Sequence, residues 1–168
     1  TLNDSSTHSS IVGGQNNTLN DSSTHSFISG GQDNTINTNS THSSIVGGQN
    51  NTLNDFSTYS FIGGGQNNVV LNGSNYSSIV GGDTNTLINA HNAFIGGGED
   101  NTLTSSNNAF IGGGGINNIT NSSLYSFIGS GLRNNLSGAS YSSIVGGADN
   151  TLSGTSHSSI VGGNDILG

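Results

Sequence analysis

The sequence predicts an all-β fold, a parallel β-solenoid (β-roll) of ten coils with 16 or 17 residues each. Three observations predict it: a repeat of that length runs through the chain, Ile and Leu recur at two fixed positions of the repeat, and Gly and Asn recur between them. Such a unit is too short for two helices, and Gly, Asn, Ser and Thr each cost a helix up to about 1 kcal/mol relative to Ala. Two short strands joined by a Gly-rich turn fit instead.

Each repeat is centred on an Ile, which we number position 0 of its coil. The ten central residues are Ile11, Ile28, Ile45, Ile62, Ile79, Ile95, Ile111, Ile128, Ile144 and Ile160. A second apolar column lies at position +8 and begins with Leu19. Residues 1–168 are therefore one repeat array, and coils stacked at about 4.8 Å would form a rod roughly 48 Å long. Thr1 and Leu2 fit positions +7 and +8 of a preceding coil, so we expect this array to be an excerpt of a longer chain.

Glycine and asparagine recur at fixed positions between the two apolar columns. A glycine pair occupies positions +2 and +3 in nine coils, and the eighth coil has Ser130 and Gly131, so only the second glycine is never replaced. Asn occupies position +6 without a break, from Asn17 to Asn150. Stacked amides can hydrogen-bond from coil to coil and cap turn backbone. We therefore interpret the Asn column as structural and not as a binding row.

Positions −1 and +1 flank the central Ile and must point to the opposite face of the strand. Coils with Ser at −1 carry Val at +1, whereas coils with Phe at −1 carry Gly or Ser at +1. Such an exchange of volume is typical of close-packed surfaces, so we expect this face to be covered by another copy of the chain. The residues predicted to form this intersubunit packing are Phe27, Val46, Phe61, Val80, Phe94, Phe110, Phe127 and Val145.

Composition excludes several classes of function. One basic residue, Arg133, stands against nine acidic ones, so no basic surface exists for nucleic acid or anionic lipid. No apolar run reaches the length of a membrane span. The Gly-rich turns lack the Lys of a phosphate-binding loop, and the acidic residues do not recur as in calcium-binding repeats. We expect no cofactor, no metal site and no catalysis. A solenoid enzyme would need a cluster of charged residues across adjacent coils, and only the pair Glu99 and Asp100 hints at one.

Position −3 holds His, Tyr or Asn. Stacked His side chains such as His8, His25 and His42 could bind a metal as neutral imidazoles. Exchange with Tyr and Asn favours a stacking ladder along the side of the rod instead.

Position +7 provides an alternative function. Thr recurs there, often followed two places later by Asn or Thr, and a flat Thr ladder resembles that of ice-binding solenoids. The residues of this candidate ice or ligand face are Thr18, Thr35, Thr52, Thr86, Thr102 and Thr151. Val69, Asn118 and Asn135 interrupt the column, so ice binding is the second hypothesis.

The strand sequences SSIVGG and SFIGGG, the latter at residues 60–65, resemble the head repeats of trimeric autotransporter adhesins and related bacteriophage fibre repeats. The resemblance implies a left-handed roll in which three parallel chains share an axis, on a cell or virion surface. It also implies a structural or adhesive fibre segment with a host-surface or matrix ligand. The unit here is longer than the usual adhesin head repeat, and a dimer or a filament stays open as the form of self-association.

Overall fold

Two parallel sheets run along the rod in the computed structural model, which describes residues 1–3 and 5–168. The chain winds through about nine turns, and each turn contributes one short strand to each sheet. The predicted all-β parallel solenoid is thus confirmed. Residues 1–3 and 5–168 contain no helix, and therefore none that could cross a membrane.

The first sheet contains the strands around position 0, in chain order along the rod. They are β1 (Ser10–Ile11), β3 (Phe27–Ile28), β5 (Ser44–Ile45), β7 (Phe61–Ile62), β9 (Ser78–Ile79), β11 (Phe94–Ile95), β13 (Phe110–Ile111), β15 (Phe127–Ile128), β17 (Ser143–Ile144) and β19 (Ser159–Ile160). The second sheet contains the strands around position +8. They are β2 (Thr18–Leu19), β4 (Thr35–Ile36), β6 (Thr52–Leu53), β8 (Val69–Leu71), β10 (Thr86–Ile88), β12 (Thr102–Thr104), β14 (Asn118–Thr120), β16 (Asn135–Ser137) and β18 (Thr151–Ser153).

The register turns each sequence column into a ladder. Ile28 pairs with Ile45 in the first sheet, and Leu19 pairs with Ile36 in the second. Leu2 forms a bridge to Leu19, which agrees with its assignment to position +8. A third line of single bridges runs along position +4, beginning with Gln15 and Gln32.

The core is a narrow apolar strip between the two sheets. The side chains at positions 0 and +8 are fully buried from Leu19 to Ile144, and Ile11 at one end is only partly buried. A complete Leu or Ile side chain removed from water contributes about 1.5–3 kcal/mol. Two large apolar residues per coil therefore provide most of the hydrophobic stabilisation.

Small polar side chains fill the rest of the interior. Ser recurs at positions −5 and −2 and is buried in most coils. The Ser43 hydroxyl is typical, because it donates to the Ser57 carbonyl at 2.7 Å and accepts from the Ser60 N–H at 3.1 Å. Most of these hydroxyls join their coil to the next in this way, which satisfies polar groups that burial removes from water, whereas Ser57 Oγ is buried without a hydrogen-bond partner.

The difference between 16 and 17 residues per coil is confined to one corner. Between positions +8 and −6, a 17-residue coil has two residues, such as Leu71 and Asn72, and a 16-residue coil has one, such as Ile88. Both versions then continue through a residue in the left-handed region, Gly73 with φ 66° or Asn89 with φ 48°. We call the segment from position +9 to −3 the variable corner.

Candidate functional site

The other corner, positions +2 to +6, is the glycine–asparagine corner, and its length never changes. Gly48 at position +3 has φ 85°, and a Cβ there would lie 2.1 Å from the Gly65 carbonyl oxygen and 2.6 Å from Asn51 Nδ2. Neither atom can move away without breaking the ladder. This close approach explains why the second glycine is never replaced, while Ser130 substitutes for the first.

The Asn side chains of this corner form a continuous buried ladder. Asn51 Nδ2 donates to the Gly47 carbonyl at 3.0 Å and to the Gly65 carbonyl at 2.9 Å. Its Oδ1 accepts from the Asn68 N–H at 3.0 Å. The side chain is fully buried, so these amides hold backbone and offer nothing to a ligand. The predicted structural role of the Asn column is confirmed.

The outer face of the first sheet carries an apolar ridge, formed by Phe at −1 or Val at +1 in each coil. Its members are Val12, Phe27, Val46, Phe61, Val80, Phe94, Phe110, Phe127, Val145 and Val161. Val80 is 48% exposed, Phe110 36% and Val145 49%. All eight residues predicted for intersubunit packing lie on this ridge, and three consecutive Phe rings stack at 5.0 and 5.3 Å.

Some coils have Phe at −1 and Gly at +1, and others have Ser at −1 and Val at +1; contacts within one chain explain this exchange. A Cβ on Gly129 would lie 3.2 Å from Cε1 of Phe127 and 2.3 Å from the Val145 carbonyl oxygen. The Phe ring therefore lies across position +1 of its own coil, where other coils place a Val side chain. We expected the exchange to arise from packing against a neighbouring copy. The contact between the Phe ring and position +1 of its own coil accounts for it within a single chain. The exchange keeps one large apolar group on every coil, so the ridge has no gap.

The outer face of the second sheet is of a different kind. The six Thr residues of the candidate ice face point outward there and are half-buried. Position +9 adds a second outward column, in which Asn20 Nδ2 donates to Asn37 Oδ1 at 2.7 Å. Leu71 and Ile88 interrupt this column in the middle of the rod. The face is therefore mainly polar but not uniform.

The side chains at position −3 form two stacks of rings on the variable corner. Five rings from His8 to Tyr76 stack at 4.7–4.9 Å, and Tyr125, Tyr141 and His157 stack at 5.0–5.1 Å. The predicted stacking ladder is confirmed. No group of three or more His, Asp and Glu side chains that could hold a metal ion occurs in residues 1–3 and 5–168.

Asn92 and Asn108 separate the two stacks, an interruption that reasoning from the sequence did not single out. The signal was present, because two successive coils lack a ring at a position that otherwise holds His or Tyr.

Charged groups lie on the glycine–asparagine corner. Arg133 Nε and Nη2 donate to the two carboxylate oxygens of Asp149 at 2.5 and 2.7 Å. This hydrogen bonding raises the pKa of Arg133 and lowers the pKa of Asp149. Glu99 and Asp100 are exposed on the same corner, and no pocket opens among the residues that the structure describes. The corner thus presents these charges to water.

Comparison with known proteins gives no assignment, because no family model and no curated protein matches the chain. The arrangement of surfaces on the rod is therefore the basis for inference about function.

Proposed function

We propose that the chain is a non-catalytic structural and adhesive segment of a fibre on a cell or virion surface, assembled from parallel copies as a homotrimer. The observation that carries the proposal is the apolar ridge, which crosses all ten strands of the first sheet. The location outside the cell and the number three rest on the resemblance to adhesin head and phage fibre repeats.

The length of the ridge supports self-association. Soluble monomers rarely expose a continuous apolar patch beyond a few hundred Å², and larger patches usually mark an interaction surface. A stripe along a rod of roughly 48 Å can be covered over its whole length by an identical rod. Closed rotational symmetry then buries the stripe of every copy, as a trimer or, alternatively, as a dimer.

Light scattering coupled to size-exclusion chromatography tests the assembly. We expect three times the chain mass of 16.9 kDa at micromolar concentration. The double variant Phe110→Ser, Val145→Ser removes two exposed ridge side chains, and we expect it to shift the mass toward 16.9 kDa with the β-rich circular dichroism retained. The matched control Thr102→Ser, Thr151→Ser alters the second sheet and should assemble as the wild type does. A wild-type chain that stays monomeric would overturn the proposal.

Ice binding is the second candidate, and the two outward columns at positions +7 and +9 favour it. Thr and Asn stand there in register, at the coil spacing of about 4.8 Å. Leu71 and Ile88 interrupt the polar columns and argue for the fibre instead. Thermal hysteresis separates the two: the fibre segment should show none, whereas hysteresis abolished by Thr35→Tyr would establish the ice face.

A further inference from the structure

We propose that Asn72 is a site of spontaneous covalent modification, at which the chain converts Asn to isoaspartate and Asp with water as the only co-reactant. Asn is abundant in this sequence, yet Asn72 is the only one directly followed by Gly. Gly73 has no side chain to crowd its backbone nitrogen, which is the atom that must attack the Asn side chain. The inference concerns one turn of a single chain and is independent of the proposed assembly.

The reaction closes a five-membered ring between Asn72 and Gly73. The Gly73 nitrogen loses its proton to base and bonds to Asn72 Cγ, and the side-chain nitrogen takes up a proton and leaves as ammonia. Water then opens the cyclic imide. Cleavage between the nitrogen and Cγ gives an ordinary Asp linkage, whereas cleavage between the nitrogen and the main-chain carbonyl carbon gives isoaspartate. One water is consumed and one ammonia is released, with no change of oxidation state.

The structure leaves the reacting peptide unit able to rotate into the geometry of attack. Asn72 has φ 54° and Gly73 has φ 66°, so both lie in the left-handed region and form a tight turn at the variable corner. Neither the Gly73 N–H nor the Asn72 carbonyl makes a hydrogen bond within the described part of the chain. At the position of Gly73 one coil earlier, the Phe56 N–H donates to the Thr38 carbonyl at 3.2 Å. Rotation of the Asn72–Gly73 peptide therefore breaks no hydrogen bond.

A second Asn in the same position provides the contrast. Asn121 lies at position +10 of the seventh coil, is exposed like Asn72 and has the same φ of 54°. Its Nδ2 donates to Ser137 Oγ at 2.7 Å, and the residue after it is Ser122. The amide of Asn121 is thus held, and a side chain crowds the attacking nitrogen. We therefore expect Asn72 to react and Asn121 to resist.

The variable corner accommodates both products. Isoaspartate adds one atom to the main chain, and this corner already differs by a whole residue between 16- and 17-residue coils. A Cβ on Gly73 would meet only the Phe56 carbonyl oxygen, at 3.7 Å, so a shifted backbone has room. The new carboxylate stands one coil step of about 4.8 Å from the exposed Asp55. We therefore expect a folded rod whose melting temperature is slightly lower and recovers with added salt.

Peptide mapping by mass spectrometry tests the site in the folded chain. Chymotrypsin is the suitable protease, because the chain has a single basic residue for trypsin. After weeks in mildly alkaline buffer, we expect the mass gain of an Asn-to-Asp conversion at Asn72, in two chromatographic forms, tenfold or more faster than at Asn121. Gly73→Ser gives the turn the residue that Ser122 already places there. We expect it to slow the conversion tenfold or more, with the β-rich circular dichroism retained.

Asn72→Asp is the matched control, because it carries the new charge from the start and identifies the Asp product by its elution. On ion exchange it should gain no further acidic form over the same period. Conversion at Asn72 no faster than at Asn121, or conversion unchanged by Gly73→Ser, would overturn the site. Loss of the circular dichroism signal in step with conversion would show that the corner does not accommodate isoaspartate and would overturn that part of the proposal.

Discussion

The two corners of each coil differ in how much change they accept. The glycine–asparagine corner has the same length in every coil, and its Asn side chain bonds both its own coil and the next. The variable corner gains or loses one residue between coils and carries Ser, Asn, Phe or Gly at its left-handed position −6.

The difference arises from where the hydrogen bonds and the close contacts lie. At the glycine–asparagine corner, backbone of the next coil approaches within 2.2 Å of where a Cβ of Gly31 would be. At the variable corner, a Cβ on Gly154 would meet nothing within 4 Å. A solenoid can therefore vary its surface on the open corner, and both ring stacks are found there.

Deletion of one residue in each corner should give the largest contrast. Without Asn72, the coil becomes a 16-residue coil like that of Ile88, and we expect a loss of about 1 kcal/mol or less. Without Thr84, Asn85 leaves its ladder and the five hydrogen bonds of its side chain break, at a cost of more than about 4 kcal/mol. Thermal unfolding followed by circular dichroism measures both, and equal losses would remove the distinction between the corners.

Substitution of one glycine by alanine in each corner compares how much stability a single added side chain costs there. Gly82→Ala puts a Cβ 2.1 Å from the Gly98 carbonyl oxygen, and we expect a loss of about 3 kcal/mol or more. Gly154→Ala is the matched control with φ 65°, where only the left-handed backbone opposes a side chain, at about 1 kcal/mol. Denaturant midpoints of the two variants test this order, and the reverse order would show that close approach does not decide it.

A gain of stability is expected where the Ser ladder beside the variable corner is incomplete. Ser77 Oγ donates to the Ala90 carbonyl at 2.6 Å and accepts from the Ala93 N–H at 3.1 Å. Ala93 occupies the same position one coil later and is 2% exposed. Ala93→Ser should extend the ladder and raise stability by about 1 kcal/mol, seen as a higher melting temperature. A lower melting temperature would mean that the interior has no space for the hydroxyl, and Ser77→Ala should give the opposite change.

Periodicity was sufficient to predict the fold, because each buried column repeats residues of one chemical kind, aliphatic, small or amide. Ile45 and Leu53 are inside, Asn51 bonds along the rod, and the sheets are parallel, as the spacing predicted. The Phe exchange was attributed to a neighbour since sequence does not give side-chain direction, and it was the ring of Phe127 lying over Gly129 that supplied the reason.

The candidate site was less predictable than the fold. The residues of the ridge could be identified from alternation along a strand, but the structure was needed to show that the rings at position −3 stack as two separate groups, ending at Tyr76 and beginning again at Tyr125. Stacking is a relation between coils, and a column of letters does not show which faces are used.

Among the residues that the structure describes, no hydrogen bond reaches beyond the adjacent coil, and this determines how the rod responds to force. A coil of 16 or 17 residues occupies about 4.8 Å of rod length, yet the same chain pulled straight spans roughly 55–60 Å. Tension that peels coils from one end would release the chain one coil at a time. The length of chain released by each coil is about tenfold greater than the length of rod that is lost. The solenoid would thus absorb mechanical work by unspooling while the remaining coils stay intact.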